Sequence, residues 1–499
     1  MNIGKPNLSI NGGFAGYAWS QRRLILIWLS VSFAAFTVLK LLFPNADFFS
    51  DSFSYVQDAV TDNHGFGFRP QGYPDFLYGL HAIYPYQGFV VFVQVFLFLL
   101  SSFLCLLTCG YLFGINNRKL HLIAGLILLN PVLIFIANLV SSDSLFCSLT
   151  VFWFTSLLWA MKRPTWSNLL VQALLLLMCV HVRYTGMFYF AISIIAFIVA
   201  NGKVYIRITG IILSASVVFG YMQWQENKIE EQFDVRIFSG FSNWQIANNA
   251  LCYYKKLDVQ TADMPTEETA LLDLCVKRYI DTVYTEGHLG TQYMWNRRSP
   301  LRLYVAMRSR FENKKFFGEW IKCSVEIGEY GRILVKHDPL AYVRYFMFPN
   351  FKNFMVPDLE ALENYNIYNL TVPNECREWY NMDTNFLSCR FLHLQEKLMF
   401  IFPYVSCLLN LLNIGFIPFF LLRNLKRWKT LGRDIKGLFI VWSAFYIGYM
   451  FFSVASAYIV FRYLDIIFIP GVIIPVVLYP YCRKTVKRDG DPKAAISIS

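Results

Sequence analysis

The sequence predicts an α-helical polytopic membrane protein of about ten transmembrane helices, with a mixed or mainly helical extracytoplasmic domain. Two observations predict this class. Of the 499 residues, 56% are hydrophobic and only 16% are charged. Apolar runs of roughly 20 residues, the length that crosses a bilayer, also recur along the chain. Soluble domains have far more polar compositions, so lipid has to be treated as one of the solvents of this protein.

The apolar runs divide the chain into four parts. An N-terminal transmembrane module (1–222) contains a first outer loop (44–88), and a polar segment (223–396) is large enough to be a water-exposed domain. C-terminal transmembrane helices (397–482) and a tail (483–499) follow. The candidate spans are residues 24–43, 89–113, 120–140, 145–161, 169–182, 184–200, 204–221, 398–422, 438–455 and 463–478.

Basic residues give the orientation. The net charge is +12, but Lys and Arg lie in short segments between apolar runs, which argues against a nucleic-acid partner and is typical of cytoplasmic loops. Alternating the spans places these basic segments on one side. We therefore expect a multi-pass protein of the plasma (inner) membrane, with both termini cytoplasmic and residues 223–396 extracytoplasmic. The first span lacks a small-residue cleavage site, so we expect no cleavable signal peptide.

Cysteine spacing suggests one disulfide and no zinc site. Of the 11 cysteines, Cys376 and Cys389 lie close together in the segment assigned to the outer side, where oxidation is possible. A disulfide between them is one alternative, because spacing alone does not fix the pairing. The cysteines in or beside spans are expected to act as small apolar residues.

The first outer loop holds a concentration of polar and aromatic residues. Asp47 and Asp51 follow the first span, and Tyr55 comes one helical turn after Asp51. Arg69 and Tyr73 lie in the run Arg-Pro-Gln-Gly-Tyr-Pro further along the loop. A helix that begins near Ser50 would place Asp51 and Tyr55 on one face.

Other ionisable residues lie where spans begin or end on the same predicted side. Asp143 opens the fourth span, Arg183 lies between the fifth and sixth, and Arg462 precedes Tyr463 at the start of the last. Ionisable residues at a membrane are costly and usually functional. We therefore predict that Asp51, Arg69, Asp143, Arg183 and Arg462 meet at the outer surface.

Acids and arginines that meet at the membrane surface suit the chemistry of a lipid-linked sugar. The phosphate of such a sugar lies at the headgroup level, where Arg69, Arg183 and Arg462 would bind it through their forked N–H groups. Asp51 would be the base that takes the acceptor proton. Asp47, Tyr55, Tyr73, Asp143 and Tyr463 are candidates for substrate contacts or for positions beside a divalent metal ion. The sequence does not decide whether a metal is bound, because Asp47 and Asp51 alone are few ligands.

Simpler roles remain open for the same residues. Asp47 and Asp51 could be solvated loop acids, and Asp143 could cap the fourth helix. Arg183 and Arg462 could extend to lipid headgroups as topology anchors. His181 could be a hydrogen-bonded interface histidine.

Several short motifs of this sequence resemble those of the GT-C superfamily of polytopic glycosyltransferases, especially the bacterial protein-mannosyltransferase and aminoarabinose-transferase families. The shared features are an acid and Tyr in the first loop (Asp51, Tyr55) and the run from Arg69 to Pro74, which departs from Arg-Pro-Pro-Gly-Tyr-Pro at Gln71. Others are Ser142-Asp143, Arg183 with Gly186, and Arg462-Tyr463 with a more distant Pro470. The resemblance implies an inverting transfer from a polyprenyl-phosphate-type donor. It indicates no role for residues 223–396.

Function therefore has one leading hypothesis and two alternatives. The first is a glycosyltransferase that moves sugar from a lipid-linked donor to a glycan, lipid or protein acceptor, among membrane lipids. A non-catalytic scaffold of the same fold, which binds glycan or protein, is the second. A lipid or glycolipid transporter is the third, but the sequence lacks the repeats and mid-membrane charges typical of one.

Overall fold

The computed structural model describes residues 13–61, 69–284, 289–311 and 316–482. The predicted tail (483–499) lies outside the described residues. Within the described ranges the backbone is helical, and extended segments form isolated β-bridges only.

The structure confirms a polytopic helical architecture. By length and composition, seven of the described helices could cross a membrane, or eight if a bent pair counts as one. Two shorter apolar helices match the fifth and sixth predicted spans, so the predicted total of ten exceeds the helices that meet the length criterion. The long helices are Arg22–Leu42, Gln87–Phe113, Ser142–Lys162, Val204–Phe233, Leu394–Thr430, Arg433–Ser456 and Asp465–Cys482; the shorter ones are Trp166–Val182 and Tyr184–Val199.

The third predicted span is a broken helix, not the single one expected over residues 120–140. Helices Asn117–Leu128 and Pro131–Asn138 meet at an angle of 47°. Proline lacks a backbone N–H and is favoured in the first turn of a helix. The side chain of Asn130 accepts a hydrogen bond from the Val132 N–H at 3.0 Å, which caps the second piece.

Helix Ser142–Lys162 is the central element of the bundle. Buried residues make up 89% of its apolar window, against 17% for Arg22–Leu42. A helix buried on all sides has to satisfy its polar groups within the protein. Its first turn carries Asp143, so this central helix places a carboxylate at one end of the bundle.

The opposite end of the bundle gathers several basic residues of the predicted cytoplasmic loops. Lys162 forms an ion pair with Asp434, which also accepts a hydrogen bond from Asn201 at 2.6 Å. Arg433 donates to the carbonyl oxygens of Val199 and Ala200. Since Asp143 and Lys162 terminate the same helix, the carboxylate end and this basic end lie on opposite sides of the bundle.

Residues 223–396 form a second core and a return segment. Helix Val204–Phe233 continues past residue 222, and its last turns pack into a core that includes Trp244, Trp320 and Tyr330. The helices of this part are Gly240–Leu251, Glu267–Tyr279, Gln292–Trp295, Pro300–Phe311, Phe316–Lys322, Ser324–His337, Pro339–Tyr342, Phe348–Met355 and Asn374–Trp379, with a π-helical turn at Val343–Met347. Cys376 and Cys389 are free thiols, so the disulfide considered from their spacing is not formed.

The chain from residue 356 onward returns to the bundle. Leu362 and Tyr365 pack with Phe43, Phe135 and Phe461 in a cluster separate from the second core. Isolated parallel bridges join Asp358 to Val460 and Asp47 to Leu139. This return segment therefore covers the end of the bundle that carries Asp143.

Candidate active site

Asp51 is positioned by a short helix of the first loop. Helix Ser50–Val60 begins where the sequence predicts, and the Phe49 N–H is bound by the Ser52 hydroxyl at 2.8 Å. Asp51 lies in the first turn, where the helix dipole favours a negative charge. The side chain is 22% exposed, so Asp51 is not a freely solvated loop acid.

Two arginines bind the two oxygens of Asp51. Arg69 Nη2 donates to Asp51 Oδ1 at 2.8 Å, and Arg462 Nη1 donates to Asp51 Oδ2 at 2.9 Å. Burial alone would raise the pKa of Asp51, but the charges and hydrogen bonds of Arg69 and Arg462 hold it well below its usual range. Asp51 is therefore ionised at neutral pH and neutralised by its partners.

Asp143 is the most deeply buried member of the cluster. Its carboxylate has no exposed surface and is bound by Arg183 through an ion pair, by Arg462 Nη1 at 3.3 Å and by the Ser141 hydroxyl at 2.5 Å. The N-cap residue of helix Ser142–Lys162 is Ser141. The capping role considered for Asp143 is therefore wrong, because its carboxylate is directed to arginines.

Arg183 follows helix Trp166–Val182 directly and is held by a tight turn. A Cβ atom at Gly186 would lie 2.7 Å from the Cys179 carbonyl carbon and the Val180 nitrogen, so only glycine fits there. Arg183 is paired with Asp143 and does not act as a solvent-exposed anchor; its side chain is 21% exposed.

The run from Arg69 to Pro74 packs against the same helix end. A Cβ atom at Gly72 would lie 2.7 Å from the backbone carbonyl of His181. His181 itself pairs with Asp75 through Nε2 at 2.9 Å. The close approach of Gly72 therefore brings the helix that follows Arg69 against the helix that precedes Arg183.

Arg462 connects all parts of the cluster. Its side chain is 7% exposed and binds Asp51 and Asp143 through Nη1. Its other edge, Nε and Nη2, faces Glu360 Oε2 at 3.1 Å from each nitrogen. Burial opposes the shift, but Tyr463 and the carboxylates around Arg462 raise the pKa of Arg462 well above its ordinary value.

Aromatic rings cover the guanidinium groups. Arg69 lies 5.0 Å from the centre of the Tyr55 ring, and Arg183 and Arg462 lie 4.9 Å and 5.2 Å from the Tyr463 ring. The Tyr55 hydroxyl is 3.0 Å from the Ser142 hydroxyl. The predicted residues Tyr55 and Tyr463 are thus part of the cluster, through cation–π contacts.

Tyr73 and Asp47 lie beside the cluster and support the chain that forms it. Tyr73 is fully buried and donates to Gln94 Oε1 at 2.8 Å, and Gln94 donates in turn to the carbonyls of Ala137 and Leu139. Neither Tyr73 nor Asp47 is paired with an arginine among the ion pairs of the described chain. Tyr73 therefore supports the chain around the cluster, and the substrate contact expected for it from the sequence stays a prediction.

Asp47 joins the first loop to the return segment. Its carboxylate accepts hydrogen bonds from the Asn366 N–H at 2.7 Å and from Gln395 at 3.2 Å. Its backbone carbonyl accepts from the Val140 N–H at 2.9 Å. Burial raises the pKa of Asp47 to about 6, although these hydrogen bonds and Lys40 oppose the shift.

Glu360 is a member of the cluster that sequence reasoning missed. It comes from the return segment, where Glu360 and Ala361 have φ angles of 49° and 64°. These left-handed values are uncommon for residues other than glycine. The Phe461 N–H donates to the Asp358 carbonyl at 2.7 Å, which fixes this segment beside Arg462. No glycine or motif at this point in the sequence indicates such a turn.

Asp465 is a second acid that was not singled out. It is 3% exposed and lines an apolar cavity together with Leu133, Phe402 and Phe468. Its Oδ2 atom has no hydrogen-bond partner within the described chain. The Arg462-Tyr463-Leu464-Asp465 spacing was the available signal, because it places Asp465 one turn after Arg462.

The cluster balances its own charges. Arg69, Arg183 and Arg462 face Asp51, Asp143 and Glu360, so the formal charges of these six groups cancel. No group of three or more His, Cys, Asp or Glu side chains that could hold a metal ion occurs in residues 13–61, 69–284, 289–311 and 316–482. A role of Asp47 in metal binding remains a hypothesis.

The geometry thus gathers Asp51, Arg69, Asp143, Arg183 and Arg462, as predicted, and adds Glu360. Such an arrangement can present forked N–H groups to an anion and a carboxylate to a proton donor. Comparisons with protein-family models, with curated proteins and with solved structures found no match for this chain.

Proposed function

We propose that this protein is a membrane glycosyltransferase that moves a sugar from a polyprenyl-phosphate-type donor to an acceptor. The observation that carries the proposal is the convergence of three arginines and three carboxylates at one end of an apolar helix bundle. They come from five separate regions of the chain, around residues 51–69, 143, 183, 360 and 462. A buried set of this kind is expensive to assemble and points to a ligand with charge.

Arginine is the side chain best suited to the phosphate of such a donor. Its planar fork matches two phosphate oxygens and stays charged in a buried site. Arg462 and Arg183 line the centre of the cluster, and Arg69 lies at its edge beside Asp51. Phe461 and Leu464, which lie close to Arg462 in the sequence, line a small apolar cavity.

Asp51 is the proposed base. In an inverting displacement, the acceptor oxygen attacks the anomeric carbon, the bond to the phosphate oxygen breaks, and the acceptor proton passes to the base. In the structure both oxygens of Asp51 are bound by arginines. A donor phosphate that engages Arg69 would release Asp51 Oδ1 to accept the proton, so donor binding would prepare the base.

The side of the membrane on which the site lies is inferred from the positions of the basic residues. The cluster lies at the end opposite Lys162 and Arg433. Since basic loops favour the cytoplasm, we place the cluster at the extracytoplasmic face of the plasma (inner) membrane, with residues 223–396 on that side. The acceptor, whether glycan, lipid or protein, would approach from there.

A non-catalytic scaffold is the second candidate, and one observation favours it. Every charge of the cluster already has a partner of opposite sign, so the same residues could simply tie the first loop and the return segment to the bundle. The two candidates give Asp51 different roles. In the scaffold Asp51 only accepts hydrogen bonds from arginines, whereas in the enzyme it also accepts a proton from the acceptor.

The Asp51→Asn variant distinguishes the glycosyltransferase from the non-catalytic scaffold. The amide keeps the shape and can still accept from an arginine, but it cannot take the acceptor proton. We expect transfer in a single turnover, from a lipid-linked sugar donor in membranes that contain the protein, to fall about 10²- to 10⁴-fold. Donor binding should persist, because Asp51→Asn also removes a negative charge near the phosphate.

The matched control is Asp75→Asn, in the same loop but paired with His181 outside the cluster. It should transfer normally. Unchanged transfer by Asp51→Asn, or a loss caused only by failed donor binding, would contradict the assignment of Asp51 as the base.

A further inference from the structure

Glu360 occupies the part of Arg462 that a phosphate would use. The forked edge of a guanidinium is its Nε and Nη2 pair, which can bind two oxygens of one anion. In Arg462 this edge faces Glu360 Oε2, 3.1 Å from each nitrogen, while Nη1 is bound by Asp51 and Asp143. Arg462 can therefore bind a phosphate through this edge only after Glu360 moves.

Glu360 is also the most weakly held carboxylate of the cluster. Asp51 is bound by Arg69 and Arg462, and Asp143 by Arg183, Arg462 and Ser141. Glu360 has Arg462 as its arginine partner in the described chain. Its side chain is 32% exposed, against 22% for Asp51 and 0% for Asp143. It has room toward solvent that the other two lack.

Charge balance requires a change when an anion enters. The arginines and carboxylates of the cluster cancel, so a phosphate would leave one or two excess negative charges in a partly buried site. Moving Glu360 off the Arg462 edge with a proton on its carboxyl, while it stays beside Asp51 and Asp143, removes one of these charges and frees that edge at the same time.

This inference rests on the proposed function and deepens it. We propose that Glu360 is an internal anion that the donor phosphate displaces from Arg462, and that one proton is taken up by the Glu360 carboxyl as the phosphate binds. The proton comes from the solvent. The forked edge of Arg462 exchanges one carboxylate for one phosphate, and the carboxyl moves off that edge in neutral form but stays beside the cluster. Glu360 thereby sets how strongly the site accepts an anionic lipid.

The surroundings of Glu360 favour uptake of a proton. Burial raises the pKa of Glu360, Arg462 opposes that shift, and the negative charges of Asp51 and Asp143 raise it further. The remaining titratable neighbours are Tyr463, beside Arg462, and Tyr458, whose hydroxyl donates to Asp358 at 2.8 Å. When the phosphate replaces the carboxylate on Arg462, the opposing effect of that arginine is lost.

The test measures binding of undecaprenyl phosphate to the purified full chain in nanodiscs, with undecaprenol as the uncharged comparison. Wild type, Glu360→Gln and Glu363→Gln are titrated from about pH 5.5 to about pH 8.5. Glu363 lies on the same return segment, and no ion pair joins it to Arg462 in the described chain, so Glu363→Gln is a matched control. The titration of the lipid phosphate itself cancels in the ratio of two proteins.

We expect the affinity of Glu360→Gln relative to wild type to increase with pH, by up to roughly tenfold per pH unit, because wild type must take up a proton that the variant does not need. Glu363→Gln should follow wild type. A ratio that does not change with pH, or weaker binding by Glu360→Gln, overturns the role of Glu360 alone. If wild type binds undecaprenyl phosphate no better than undecaprenol at any pH, the proposed function fails, and this inference fails with it.

Discussion

The charged side chains at the two ends of the helix bundle have different kinds of partner. At one end, Arg69, Arg183 and Arg462 bind Asp51, Asp143 and Glu360. At the other, Arg427 and Arg433 donate to backbone carbonyl oxygens, and Lys162 pairs with a partly exposed Asp434. Both ends contain ionic contacts, but among the ion pairs of the described chain that the two ends contribute, those of Asp143 at the first end involve a carboxylate with no exposed surface.

The difference distinguishes helix termination from a binding site. The last carbonyl groups of a helix lack intrahelical partners, and a nearby cation satisfies them at low cost. Buried ion pairs have a desolvation cost that often exceeds their attraction, so they add little net stability. The basic end is explained by the helices it closes. The carboxylate end requires a further reason, and the phosphate of the proposed lipid-linked donor would provide one.

The largest expected effect compares the acids of the two ends. Asp143→Ala leaves Arg183 and Arg462 without a fully buried partner, and should destabilise the protein by about 3–5 kcal/mol. Asp434→Ala removes a partner that is 31% exposed, and should cost about 0–1 kcal/mol if it behaves as a surface pair. Thermal or denaturant unfolding in detergent measures both. Equal losses at the two ends would remove the distinction.

A second comparison concerns the two acids of the first loop. The pKa of Asp47 is raised to about 6 from an ordinary 3.8, so its stabilising contribution is full below 3.8 and is lost as pH rises through 6. That change corresponds to about 3 kcal/mol. Asp51 has a lowered pKa, so its contribution is present above its ordinary value and is lost in acid.

Unfolding of wild type, Asp47→Asn and Asp51→Asn between about pH 4 and about pH 7 measures these contributions as differences from wild type. The wild-type advantage over Asp47→Asn should shrink as pH rises. Its advantage over Asp51→Asn should stay nearly constant in this range, because a lowered pKa makes that contribution fall only below about pH 4. The same decrease with rising pH for both variants would show that the two environments are not distinct.

The assignment of the two ends to two sides of the membrane has a test with little effect on stability. A cysteine placed at Thr384, exposed on the return segment, should react with a membrane-impermeant thiol reagent in intact cells. A cysteine at Thr430, exposed beside the basic end, should not. Wild type, which retains its native cysteines, gives the background. Labelling at Thr430 and protection at Thr384 would reverse the orientation.

The sequence was sufficient for the parts of the site that depend on topology. Alternating spans place residues near 51, 143, 183 and 462 on one side, and in a compact bundle the helix ends of one side are neighbours. The cost of ionisable residues at the membrane then predicted that Asp143, Arg183 and Arg462 would meet at one surface. The helix that begins at Ser50 followed from local sequence in the same way.

The parts that were missed depend on the path of an irregular segment. Glu360 lies beside Arg462 in a turn where Glu360 and Ala361 adopt left-handed conformations, which no local propensity of these residues favours. The sequence also did not indicate the tertiary hydrogen bonds of Tyr73 to Gln94 and of Asp47 to Asn366. The substrate or metal contacts expected for Tyr73 and Asp47 stay predictions. The break at Asn130-Pro131 was readable from the sequence and was outweighed by the apolar run around it.

The central claim is that the arginines at the carboxylate end bind the phosphate of a lipid-linked sugar. Mass spectrometry of lipids that co-purify with the protein tests it most directly, for wild type, Arg183→Ala, Arg462→Ala, Arg462→Lys and the opposite-end control Arg433→Ala. We expect a polyprenyl-phosphate-linked sugar with wild type and Arg433→Ala. It should be depleted in Arg183→Ala and Arg462→Ala by an affinity loss of about 1.5–3 kcal/mol, and only partly recovered in Arg462→Lys, since lysine lacks the fork. Absence of such a lipid from wild type, or equal amounts in all five proteins, would contradict the claim.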